Sequence, residues 1–84
     1  PALIKVTDEY VGHGFGHPEQ RTLDAIRLLA RHEGILVDPT YSGKAFACLV
    51  DQLRQGRFSD SEDIIFVHTG GTPLLFAYGE ELLV

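Results

Sequence analysis

Methionine and tryptophan are absent from the 84 residues, and cysteine occurs once. A lone cysteine, Cys48, rules out an internal disulfide and fits a reducing compartment, so a cytoplasmic location is expected. Its setting in "AFACLV" reads as a small buried hydrophobe rather than a reactive thiol. Positive charge is scarce: seven Lys and Arg face twelve Asp and Glu, for a net charge of −5. That balance excludes an electrostatic footprint for nucleic acid or an anionic membrane. Apolar runs stay far short of the roughly 20 residues a spanning helix needs. No basic segment with an apolar core opens the chain, so no secretory signal is read. Without methionine at position 1, "PALIKV" is not expected to be a translation start, and the chain is expected to be processed or cut from a longer one.

What remains is an ordinary globular composition, 44% apolar, in a length that allows one domain over residues 1–84 with no internal boundary. "ALIKV" has the β-branched and aliphatic make-up of a short strand. "TDEYVGHGFGHP" follows as a loop, with Gly12, Gly14 and Gly16 breaking any regular element. A first helix is predicted from Pro18, with Leu23, Ile26, Leu29 and Ala30 on its buried stripe and Gly34 as its C-terminal cap. "ILVD" is a second strand candidate, ended by Pro39. A second helix is predicted from about Gly43 to Gln55, burying Phe46, Leu49, Val50 and Leu53 and closed by Gly56. After the polar link "RFSDSED", "IIFVH" carries the strongest strand signal. Thr72 reads as an N-cap and Pro73 as the first residue of a last short helix.

Helices alternating with short strands that are apolar on both faces predict an α/β fold with parallel βαβ units. Right-handed crossovers then bring the loop after "ILVD" and the loop after "IIFVH" to one edge, where open α/β sheets bind ligands. Tyr41 and Ser42 are therefore expected to converge with Thr69, Gly70 and Gly71. Two helices and two or three strands do not cover both faces of such a sheet. The chain is accordingly read as a fragment of a doubly wound sheet from a larger domain.

Several chemistries are weighed against these residues. "YSGKA" holds the Gly-Lys pair of a phosphate-binding P-loop, but Asp38 stands where that motif needs its first glycine. "GHGFGHP" leads into a proline-started helix, not the tight turn of a dinucleotide site. His13 and His17 lie four apart in a loop, which does not aim them at one metal, and no acidic or thiol cluster completes a set, so no metal site is assigned. His32 belongs to the end of a helix. His68 is either functional or a hydrogen-bonded strand end, and Ser42 is either a helix cap or a ligand group. The pair Gly70-Gly71 points to a backbone that approaches a flat ligand, since a turn alone rarely needs both glycines.

"EGILVDPTYSGKAFACLVDQL" and "IIFVHTGGTPLLFAY" together resemble the C-terminal part of one enzyme family. It comprises the pyridoxal-phosphate (PLP) enzymes of the tryptophan-synthase-β fold type that include D-cysteine desulfhydrase and 1-aminocyclopropane-1-carboxylate (ACC) deaminase. The likeness runs from "DEYVGHGFG" to "LLFAY", through the long motifs "DPxYxGKA" and "HTGGxPxLFAY". It implies PLP as cofactor, a small amino acid as substrate and a homodimer. Tyr41 matches a tyrosine placed near the substrate, and Thr69 a hydroxyl beside the pyridine nitrogen. Gly70 and Gly71 belong to the same cofactor loop. Ser42 matches a position that carries an acid facing that nitrogen in the deaminases, and Phe15 matches an active-site tyrosine but lacks its hydroxyl.

These differences favour one activity. An acid at the pyridine nitrogen keeps it protonated and strengthens the ring as an electron sink, which opening a cyclopropane requires. Sulfide is a good leaving group and needs less help, so neutral Ser42 and Thr69 fit β-elimination from D-cysteine, with ACC deaminase as the alternative. A PLP enzyme also needs a lysine to carry its cofactor. The chain has only Lys5 and Lys44. Neither matches the family's cofactor lysine, so these residues alone are expected to be inactive. The alternative of another class is a truncated, non-catalytic remnant that only packs against a partner.

Overall fold

A computed structural model describes residues 5–7, 9, 10, 19–58 and 63–82, without the side chains of 81 and 82. Phe15, His13, His17, Pro18, most of the "ALIKV" strand candidate and much of the "RFSDSED" link lie outside the described residues. Helix α1 runs Gln20–Glu33 after an extended Glu19, whose carbonyl accepts from the Leu23 amide at 3.0 Å. Gly34 ends it as expected, at φ +67° with its N–H on the Ala30 carbonyl. Its buried residues are Thr22, Leu23, Ala25 and Ile26, while Leu29 and Ala30 are half-buried.

Helix α2 runs Ser42–Arg54, one residue earlier at each end than its sequence pattern indicates. Gly56 follows at φ +72° and donates to the Leu53 carbonyl at 3.1 Å. The face of α2 differs from the expected one. Ser42, Gly43 and Ala47 are buried, Phe46, Leu49 and Val50 are half-buried, and Leu53 is exposed. Close approach explains the difference. A Cβ on Gly43 would lie 3.1 Å from Ile26 Cδ1 and would collide with the Asp38 carbonyl oxygen, so small residues bring α2 onto α1. The core is accordingly slight: Leu23, Ala25, Ile26, Val37 and Ala47.

The segments 35–38 and 63–70 carry no strand pairing, and no strand is present among the described residues. The parallel sheet expected from the sequence is therefore not formed here. A ladder needs a paired strand to take up its amides and carbonyls. Ile65 and Val67 instead stand 88% and 70% exposed. The two segments do run to a common end. His68 Nε2 contacts the Leu36 carbonyl at 2.8 Å, and the Phe66 ring meets Phe46 of α2 edge-on at 5.5 Å.

Beyond them, a 3₁₀ helix spans Thr72–Tyr78 and runs into α3, Gly79–Leu82. Its N-cap is Gly71, at φ +86°, rather than the expected Thr72. The Thr72 hydroxyl is turned to the Leu36 carbonyl, 3.4 Å away, instead of capping its own helix. At the other end of the molecule, the Tyr10 hydroxyl donates to the Asp51 carboxylate of α2, and the Arg21 guanidinium lies 4.3 Å over the Tyr10 ring. The hydrogen bond to Asp51 pushes the Tyr10 hydroxyl up from 10.0 to about 12, helped by burial and by the Asp51 charge. The same bond lowers Asp51.

Candidate functional site

Asp38 organises the start of α2. It is fully buried, at the end of the extended "ILVD" segment. Pro39 and Thr40 turn the chain so that the next amides point back at its carboxylate. Oδ2 accepts from the Thr40 and Tyr41 amides at 2.8 and 2.6 Å. Oδ1 accepts from the Ser42 amide at 3.0 Å and the Ser42 hydroxyl at 2.7 Å. Burial alone would raise this carboxyl, but the Ser42 hydroxyl and the amides of Tyr41, Ser42 and Thr40 outweigh it and hold the group below its ordinary value. A carboxylate at the positive end of a helix gains further from the aligned peptide dipoles.

Ser42 turns inward as well. Its hydroxyl accepts from the Asp38 amide at 3.2 Å and lies 3.2 Å from the Gly70 carbonyl, besides its contact with Asp38 Oδ1. The hydroxyl thus serves the turn and reaches the glycine loop. The expected convergence of the Tyr41–Ser42 turn with the Thr69–Gly71 loop is present through that bridge.

Within the loop the glycines differ. Gly70 has φ +109° and open space where a side chain would stand. Gly71 has φ +86°, and a Cβ there would strike Asp38 Oδ1 and lie 2.9 Å from its Cγ. Gly71 is therefore required by Asp38, and the open side of the loop is at Gly70. Thr69 is exposed, and Tyr41 is 53% exposed on its turn. His68 Nδ1 accepts from the Gly70 amide at 3.1 Å, so this ring spans from Leu36 to the loop. Cys48 is half-buried; burial, then the charges of Asp51 and Glu9, push its thiol up and away from nucleophilic use.

Asp38 is the residue that sequence reasoning missed. Its signal was present: an Asp-Pro step four residues before the first residue of a helix is a turn in which a carboxylate meets the helix's free amides. In the sequence it registered only as the place where a P-loop glycine is lacking. The exposed Thr69, the open backbone at Gly70 and the exposed Tyr41 thus lie on a loop and a turn that Ser42 and Asp38 hold together. A family model for pyridoxal-phosphate dependent enzymes matches residues 1–70, and the chain belongs to that family.

The cofactor of this family is PLP, and its fold is the tryptophan-synthase-β type. The match takes in Tyr41, Ser42, Thr69 and Gly70 and stops one residue before Gly71. The residues fit a flat ring in part. Thr69 presents a hydroxyl, Gly70 leaves room beside it, and Tyr41 is accessible, whereas Ser42 is committed to Asp38 and Gly70. Phe15 lies outside the described residues.

Proposed function

We propose that these residues are the C-terminal part of a PLP-dependent lyase that converts D-cysteine and water to pyruvate, hydrogen sulfide and ammonia. When bound, PLP supplies the electron sink that stabilises negative charge at the substrate α-carbon. In this reading the Thr69 hydroxyl meets the pyridine nitrogen, Gly70 lets the backbone pass close to the ring, and Tyr41 stands on the substrate side. Ser42 and Gly71 hold that loop in place from behind. Phe15 lines the substrate pocket. The whole protein is a cytoplasmic homodimer, and its cofactor lysine is supplied by residues other than these.

One observation carries the choice of β-elimination over ring opening. The acid that touches this loop, Asp38, is fully buried and spends its charge on four donors, while the group left exposed is the neutral Thr69. A ring nitrogen that meets a neutral hydroxyl is a weaker sink, sufficient where the leaving group is sulfide. The test is to give the intact gene product D-cysteine and ACC separately and to measure sulfide and 2-oxobutyrate. Sulfide from D-cysteine is expected. Formation of 2-oxobutyrate from ACC without sulfide release would overturn the reading in favour of the deaminase. No product from either, with no PLP uptake, would leave the non-catalytic remnant.

A further inference from the structure

Asp38 makes more contacts than a helix cap requires. Amides of the first turn would satisfy such a cap, and those of Thr40, Tyr41 and Ser42 are already bound. The carboxylate also takes the Ser42 hydroxyl, and one flank fills the space that a side chain at Gly71 would need. The same hydroxyl reaches the Gly70 carbonyl. One buried group thus touches the glycine pair directly at Gly71 and through a single hydroxyl at Gly70. It holds Tyr41 by its amide at the same time.

We propose that Asp38 is the positioning residue of the site, fixing the Thr69–Gly71 loop against the Tyr41–Ser42 turn. The proposal rests on the reading of Thr69 and Tyr41 as the cofactor-side and substrate-side groups. Asp38 touches no ligand itself; it acts through Ser42, Gly71 and the Tyr41 amide. Asparagine does not reproduce it, because backbone amides donate to both carboxylate oxygens and an amide NH₂ would face at least one of them.

Hydrogen exchange on the intact gene product without PLP reads this directly, in peptides covering 40–46 and 68–74. Asp38→Asn is expected to speed exchange in both, by about tenfold, the equivalent of one lost buried hydrogen bond. Ser42→Ala keeps the carboxylate and its three amide partners, so it is expected to speed exchange more at 68–74 than at 40–46, and Ser42→Thr to restore it. Acceleration confined to 40–46 in Asp38→Asn would reduce Asp38 to a cap and overturn the proposal. If Asp38→Asn does not fold, unchanged exchange at 68–74 in Ser42→Ala overturns it instead. With PLP bound, Ser42→Ala should shift the cofactor absorbance band and Ser42→Thr return it; an unmoved band also counts against the proposal. Wild-type protein that takes up no PLP sinks the lyase reading, while the exchange comparison still decides the role of Asp38.

Discussion

Gly71 lacks a side chain because Asp38 occupies the space where one would begin. Gly71→Ala therefore carries two costs, a positive φ of roughly 1 kcal/mol or more and a collision with the carboxylate. In Asp38→Ala the collision is absent, so the two substitutions should be non-additive by about 1 kcal/mol in urea unfolding, whereas Gly70→Ala should simply add to Asp38→Ala. Strict additivity at Gly71 would refute the contact. Tyr10 offers a second residue-scale measurement. Its hydroxyl pKa is raised in the fold, so its contribution is fully present below 10.0 and lost as pH rises through about 12. Asp51 is lowered, so its contribution is present above its ordinary 3.8 and fades as pH falls through its depressed value. Ultraviolet titration of Asp51→Asn should find Tyr10 ionising closer to 10.0, and an unaltered titration would deny the bond.

At the scale of elements, the C-terminal ends of both helices were legible in the sequence to within a residue because capping is local: Gly34 and Gly56 adopt the left-handed backbone their positions implied, whereas α1 begins at Gln20 and not at Pro18. The buried faces were less legible. Apolar periodicity picked out Leu23 and Ile26, which are buried, but it passed over Thr22, Ala25, Gly43 and Ala47, which are buried as well. Which stripe is covered depends on what lies opposite, and that is tertiary information. Gly43→Ala should drive a Cβ into the Asp38 carbonyl and against Ile26 of α1, destabilising the protein by about 1–3 kcal/mol, as overpacking does. Phe66→Ala should cost about 1 kcal/mol beyond its lost burial by removing the edge contact with Phe46. Equal stability of Gly43→Ala and wild type in denaturant would mean that the helices are not so close.

For the whole molecule, the accessible surface is 6176 Å², against roughly 5,000 Å² expected of a folded 9.3 kDa monomer. The excess includes apolar groups, with Phe76 80% exposed in addition to Ile65 and Val67. The sequence signal for a strand at "IIFVH" was real in its composition. Its realisation depends on neighbouring strands, and none is formed among the described residues. The chain on its own is thus expected to bind a hydrophobic dye strongly and to self-associate with rising concentration, while the intact gene product does neither. A monodisperse, dye-silent 84-residue chain would show that its surface needs no cover.

His68 has a further consequence for the chemistry. A backbone amide can only donate and a backbone carbonyl can only accept, so Nδ1 accepts from Gly70 and Nε2 donates to Leu36. Both nitrogens are then spoken for within the chain. The imidazole next to Thr69 is a strut between two backbone segments, tying the Leu36 carbonyl to the Gly70 amide.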